Sequence, residues 1–395
     1  MDTPHHAGPA GPLDHIRVLD LSRLLPGPYG SLLLAQLGAD VIKVETPLAG
    51  DYARLAPPEA GFGGVFEALN RGKRSLAVDY RKPAGRALVL KLAQTADVFL
   101  ESSRPGRLDR CGLGAEAVRA ANPAIVYCSI SGYGQSCRNR HKPGHDIDYL
   151  AASGVLALLG GAGSRPVPPA IQLADLATGT LAAARILAAL VGRSRSGQGA
   201  YLDVAMIDAP LSWLRTLGVG IERAGQEPGP MSGAYPCYTT YRAADGRWLA
   251  VGALEPQFWQ AFCRGLGRDN LSARQFDSRA IEVVAGAIRT RTSTAWLARF
   301  DEDACVALVR LPSEALQDDD VRGRDVRPGL DAPAPDLGAD ADDLLHELGI
   351  PAGETRQLAR TGVVAGPPSP ERIARAARLG AMLLHQGSAG ASPTA

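Results

Sequence analysis

Short apolar runs alternate with helix-patterned segments through the first third of the chain, and this alternation limits the fold more than any other feature. Residues 16–19 read as a buried strand, 29–37 as a helix closed by Gly38, and 40–44 as a second strand, a β-α-β unit of minimal length. The rhythm continues with a strand at 75–78, a helix at 84–93, a strand at 98–101, a helix at 115–121 and a strand at 124–130. Strands that alternate with helices predict an α/β fold: a Rossmann-like, doubly wound parallel sheet with right-handed crossovers. Ligands of such sheets collect beyond the carboxyl ends of the strands. Here those ends read LSRLLPGP, VETPLAGD, VDYRKP, ESSRPG and SISGYGQ, and they carry Arg23, Arg81 and Arg104. No GxGxxG follows the first strand, which argues against a nicotinamide dehydrogenase despite the rhythm.

Beyond the last of these strands, His145 and Asp175 each stand at the mouth of an apolar, helix-like run, with a Gly/Pro-rich loop between the runs. A strand is expected in AYLDVAM and a helix over 207–217. IERAGQEPGPMSGAYP is Gly/Pro-rich and reads as the crossing into a second domain. There, CYTTYRAADGRWLAVGA has the alternation and the turn of a hairpin. Helices over 257–265, 281–288 and 294–300 and a strand at 305–308 complete a smaller α+β domain. Residues 316–338 are acidic and Pro-rich and read as an extended return path, followed by a helix over 340–348 and a basic helix-like patch over 371–384. The expected layout is a disordered lead over 1–12, a large domain over 13–222, a small domain over 223–315, a return to the large domain over 316–365 and a partly disordered tail over 366–395.

Composition removes several function classes. A net charge of +1 with 46% hydrophobic residues offers no basic field for nucleic acid and no charge block for a membrane surface. An acidic ligand must then be held by a local arginine or lysine pocket. None of the six cysteines forms a CxxC pair or has a histidine at zinc-ligand spacing, so no metal site is expected, and free thiols in a reducing compartment are. The N-terminal residues lack the apolar core of a signal peptide, and the most apolar run, 181–191, is too short to span a bilayer and contains Arg185. A cytoplasmic protein is expected.

Taken one at a time, His145 reads as a helix cap or core residue and Asp175 as an N-cap. Taken together they have another use. A histidine is neutral near pH 7 and can take a proton. An aspartate set between Leu173 and Leu176 can be desolvated enough to hold one. Two such groups facing one cleft form an acid/base pair.

The chain resembles the class III CoA-transferase superfamily, and within it the α-methylacyl-CoA racemase branch. The resemblance rests on LLPGPYG, LLAQLGADVIKVE, NRGKRSLAVDYRKPAGR, ESSRPG, SGYGQ, GHDIDYLAASGVL, QLADLATG, GAYPCYTTYRAADGRWLAVGALEPQF and FDEDACV, spread over about residues 12 to 310. It implies a homodimer of interlocked chains and a reaction that inverts the α-carbon of a 2-methylacyl-CoA thioester through an enolate. His145 and Asp175 are then the two proton-transfer groups, and Glu255 sets the state of the histidine. By the same resemblance Val78, Asp79, Tyr80, Arg81 and Arg104 line the CoA path together with the segment from Gly144 through Asp146 to Tyr149. Backbone N–H groups near Gly144–Asp146 are candidates to hold the thioester oxygen. No prosthetic group is implied, coenzyme A entering as part of the substrate. The other activity on this fold is CoA transfer between carboxylic acids, with Asp175 as nucleophile through an aspartyl-CoA thioester. The sequence departs from the racemase pattern at Thr46, where an arginine is usual, at Leu176–Ala177–Thr178, where glycines are usual, and at Asp148, where an asparagine is usual.

Overall fold

The structure is a computed structural model, and it describes residues 11–55, 64–160, 164–227, 229–322 and 332–366. Its strands, in chain order, are β1 (Arg17–Leu21), β2 (Asp40–Glu45), β3 (Arg74–Val78), β4 (Val98–Glu101), β5 (Val126–Ser131), β6 (Tyr201–Ala205), β7 (Tyr238–Arg242), β8 (Trp248–Gly252), β9 (Val306–Leu308) and β10 (Val364–Ala365). The chain divides into two compact units. The first holds the residues through Ser153, Ile171–Ser212 and those from Pro328 onward; the second holds Gly154–Ala170 and Trp213–Arg327. The segment Gly154–Ala170 thus groups with the second unit, whereas the sequence reading ran the large domain unbroken to residue 222.

The first unit is built on a seven-stranded sheet of order β10-β3-β2-β1-β4-β5-β6. Its strands run parallel except β10, which pairs antiparallel with β3. Both faces are covered, so alternate residues of one strand enter different cores. Leu19, Ile42, Leu76 and Phe99 pack on one face with Leu88, Leu92 and Leu344. Val18, Val41, Val98 and Val126 pack on the other with Leu34, Ala182 and Ile186. This two-sided burial is why the strands read as short continuous apolar runs.

The helices of this unit are α1 (Pro26–Gln36), α2 (Val65–Asn70), α3 (Pro83–Ala93), α4 (Arg107–Arg110), α5 (Ala115–Ala121), α6 (Asp146–Ser153) and α7 (Leu173–Ser196). Proline opens α1 and α3, where its missing N–H costs nothing. α7 buries Ala174, Thr178, Gly179, Ala182, Ala183, Ile186 and Leu190, a stripe at helical spacing, and ends at Gly197 in the left-handed region. It is longer than its apolar run suggested, and among the described residues it alone is long and apolar enough to cross a bilayer by length and composition. Its buried stripe packs on α1, β5 and β6. α1 and α7 approach closely because glycine faces glycine: a Cβ on Gly179 would lie 2.5 Å from the Pro26 carbonyl oxygen, and one on Gly30 would lie 2.9 Å from that of Gly179.

Sheet order puts β1 beside both β2 and β4. Chain connections leave toward β2 and β3 on one side and toward β5 and β6 on the other, so the topological switch point lies between β1 and β4. The hairpin β7–β8 turns through Ala244–Gly246 and is extended by β9 into a three-stranded antiparallel sheet. Trp259, Phe262, Val284, Ile288 and Trp296 form the core beside it. The extended return path expected over 316–338 instead contains a short helix, Asp319–Arg322. The expected patch over 371–384, the tail and most of the lead lie outside the described residues.

Candidate active site

The site begins with two helix starts in the first unit. His145 directly precedes α6, and its backbone is locked by a reciprocal pair of bonds. The His145 N–H donates to Asp148 Oδ2 at 2.9 Å, and the Asp148 N–H donates to the His145 carbonyl at 2.8 Å. The first of these is the N3 half of a capping box, with aspartate in the role usual for glutamate, and it gives Asp148 a structural reason where an asparagine was expected. The His145 side chain stays exposed.

α7 starts without a cap of its own, because the Gln172 side chain makes no capping bond. The cap comes from α6. Asp146, nine-tenths buried, accepts the N–H of Asp175 on Oδ1 at 3.0 Å. The N–H groups of Ala174 and Leu173 also act on the Asp146 carboxylate. One carboxylate therefore satisfies the orphan donors of a neighbouring helix and ties the residue after His145 to Asp175 itself. His145 and Asp175, far apart in sequence, stand at helix starts joined by that bond.

The same arrangement sets the charge of Asp175. The residue is half-buried. Burial, with the negative charge of Asp146 beside it, pushes its carboxyl up to about 7. Asp146 is itself raised by burial, against the pull of the helix N–H groups. Asp175 thus holds its proton closer to neutrality than an ordinary aspartate does.

Tyr149 packs beneath these residues. Its ring lies edge-on to Tyr133 at 5.4 Å, and its hydroxyl donates to the Gly144 carbonyl at 2.8 Å. A Cβ on Gly144 would come within 3.0 Å of this ring and one on Gly132 within 2.9 Å. The glycines of GHD and SGYG are therefore spaces for an aromatic ring. Burial raises the Tyr149 hydroxyl, and so does the charge of Asp175; the Arg104 guanidinium acts in the opposite sense. Arg104, exposed beyond β4, is thereby within electrostatic reach of the site.

Val78 and Tyr80 are core side chains at the end of β3. Arg81 is exposed and binds Asp79 through Nε at 2.7 Å and Nη2 at 3.1 Å. That bond holds the Asp79 carboxyl below its usual range. Glu255 lies in the second unit, exposed, at the start of helix Pro256–Leu266, where its carbonyl accepts the N–H of Phe258 and Trp259. The Gln275 side chain fixes that loop by donating to the carbonyls of Ala253 at 3.1 Å and Leu254 at 2.7 Å.

Sequence reasoning missed the polar core under the switch point. Asp20, Lys43, Lys73 and Asp51 are all buried. Lys73 donates to Asp20, Ser31, Asn70 and the Pro28 carbonyl, while Lys43 binds Asp51 and the Ser22 carbonyl. Burial alone would raise Asp20, but the charges of Lys43 and Lys73 and the hydroxyls of Ser22 and Ser31 hold it at about 2. The signal was present: a lysine and a glutamate inside DVIKVE, a strand whose other buried residues are apolar. Glu101, at the end of β4, was missed too. Burial pushes it up to about 7, against hydrogen bonds from Ser129 and from the Ser103 N–H.

Residues 13–337 match the family described as CoA-transferase family III, and the chain belongs to that family. It is 35% identical over 379 residues to human "Alpha-methylacyl-CoA racemase", covering 88% of this chain and 96% of that protein. It is 32% identical over 374 residues to "Succinyl-CoA:mesaconate CoA-transferase" of Haloarcula hispanica, covering 89% and 92%. Among solved structures, a CAIB/BAIF family protein from Brucella suis matches with a TM-score of 0.74 and 28% identity, over 86% of this chain and 100% of that one. The family is thus established, and its members include racemases and CoA-transferases at comparable distance.

Proposed function

We propose that this chain inverts the α-carbon of 2-methylacyl-CoA thioesters by 1,1-proton transfer. The observation that carries the reading is the Asp146–Asp175 hydrogen bond, which ties the residue after His145 to Asp175, whose carboxyl is pushed up to about 7 by burial and by the Asp146 charge. His145 removes the α-proton on one face, electrons move into the thioester carbonyl, and protonated Asp175 returns a proton on the other face. In the opposite direction the roles exchange. The enolate oxygen needs donors. The His145 N–H is committed to Asp148, so the Asp146 N–H, in a first turn where amides have no intrahelical acceptor, is the better candidate. Arg104 and Arg81 are the cations assigned to the anionic CoA portion, and Glu255 is assigned to the histidine. The resemblance supports an interlocked homodimer as part of the same proposal.

CoA transfer is the second reading, favoured by the 32% identity to a CoA-transferase. There Asp175 attacks the thioester carbonyl as a carboxylate, expelling CoA thiolate and forming a mixed anhydride, and the thiolate then attacks the Asp175 carbonyl to give the aspartyl-CoA thioester and release the acid. A carboxyl raised to about 7 is a weaker starting point for that role than for an acid. Incubation with an optically pure 2-methylacyl-CoA in D2O decides. Deuterium uptake with loss of optical purity, without any acceptor acid, supports the racemase. CoA transfer to an added carboxylate with no α-exchange, and an Asp175 adduct trapped by hydroxylamine, overturns it.

A further inference from the structure

The turn that leaves β1 carries a conformation that its own sequence does not favour. Leu24 has φ +63°, in the left-handed region where a Cβ clashes with the following carbonyl. The residue is 46% exposed. Its N–H is held by both oxygens of Asp51, at 3.0 and 3.1 Å. Asp51 is fully buried. It binds Lys43 at 3.1 Å, accepts the Ala53 N–H at 3.0 Å, and donates its own N–H to Glu45 at 2.9 Å. Lys43 in turn holds the Ser22 carbonyl of the same turn at 2.6 Å.

Two further contacts bracket the turn. The Arg23 N–H donates to Ser102 Oγ at 2.9 Å, across the switch point and two residues before Arg104. On the other side Pro26 abuts α7 at Gly179, one helical turn from Asp175. The loop after β2, the loop after β4 and the start of α7 thus meet at one strained, exposed turn at the ligand-bearing edge of the sheet. Strain persists where surrounding structure over-determines it, and such positions gather at ligand sites.

We propose that Asp51 is a positioning residue for the acyl-CoA ester: it latches the Arg23–Leu24 turn in its left-handed conformation so that the turn forms a fixed wall of the site beside Asp175. The proposal rests on the reading of the ligand as an acyl-CoA and holds for either reaction.

The test reads binding alone, by titration calorimetry with 2-methylhexanoyl-CoA. Leu24→Val puts a β-branched residue at positive φ, whereas Leu24→Gly removes the strain. A latch requires Val to weaken binding more than Gly, the reverse of what lost side-chain surface would give. Asp51→Asn should weaken binding about tenfold, about 1.4 kcal/mol, and adding Leu24→Gly should recover most of that loss. Gly weaker than Val, a folded Asp51→Asn that binds like wild type, or no recovery in the double variant overturns the latch. Should Asp51→Asn fail to fold, the Val/Gly order decides by itself. A wild type that binds the ester but exchanges no α-proton overturns the racemase reading and leaves the latch standing; one that does not bind it overturns both.

Discussion

The carboxylate of Asp146 accepts the backbone N–H of Asp175 at 3.0 Å, so the residue beside His145 caps the helix that carries Asp175. One contact does two things: it joins the two helix starts and places a negative charge against Asp175. Replacing Asp146 with Asn separates them, since an amide oxygen still accepts the N–H but carries no charge. Asp175 should then titrate below about 7, and the limb of the pH–rate profile that reports it should move to lower pH. Asp146→Ala removes the cap as well and should cost about 1 kcal/mol of stability, measured by urea unfolding.

Asp175 makes the protein less stable as pH rises. Its carboxyl ionises near 3.8 in the unfolded chain and near 7 in the folded one. Between those values the folded state holds a proton that the unfolded state has released, so stability falls from pH 4 to pH 7. Asp175→Asn should therefore stabilise by roughly 2 kcal/mol at pH 8, seen as a higher melting temperature, and leave stability nearly unchanged at pH 4. The same variant should be inactive as a racemase. A stabilised but inactive variant separates a functional group from a structural cap.

Glu101 follows the same sign. It is buried at the end of β4 and raised to about 7, from an ordinary value of 4.5. Glu101→Gln keeps the acceptor for Ser129 and the Ser103 N–H, and should stabilise above pH 7 with little effect at pH 4. Thermal melts of the two proteins over that range check it.

Gly179 is the point where α1 leans on α7. A Cβ there would sit 2.5 Å from the Pro26 carbonyl oxygen and 2.9 Å from the Tyr29 ring. Gly179→Ala should cost about 1–3 kcal/mol through overpacking, read from the urea midpoint. It should also lower turnover, because the displaced helix carries Asp175 one turn away.

Lys73 is fully buried with Asp20. Lys73→Met should destabilise by about 3 kcal/mol, because it leaves a buried carboxylate with one lysine in place of two. Equilibrium unfolding of the variant measures that loss.

Much of this fold was legible because parallel strands buried on both faces leave continuous apolar runs. The strand Val98–Glu101 and the helix Ala115–Ala121 stand where the pattern put them. β10 was not legible: Val364–Ala365 is too short to show a period, and only pairing with β3 makes it a strand. Helices α2 and α4 are likewise too short for an apolar stripe. In the candidate site, the helix starts at His145 and Asp175 were legible from the apolar runs that follow them, and so was the rise of Asp175 by desolvation. The part played by Asp146 was not, because an aspartate in a first turn ordinarily serves its own helix, and nothing in GHDID says that it caps another. The Lys43–Asp51–Leu24 chain was hidden for a similar reason, since its members come from three separate stretches.

The central claim is that His145 and Asp175 work on opposite faces of one carbon, and enantiomer-specific exchange tests it most directly. Each pure enantiomer of a 2-methylacyl-CoA is incubated in D2O with His145→Ala and, separately, with Asp175→Asn, and the α-proton is followed by NMR. The account requires that neither variant inverts the centre, and that each exchanges the α-proton of one enantiomer only, the two variants choosing opposite ones. Exchange of the same enantiomer by both variants, or continued inversion by either, would contradict it.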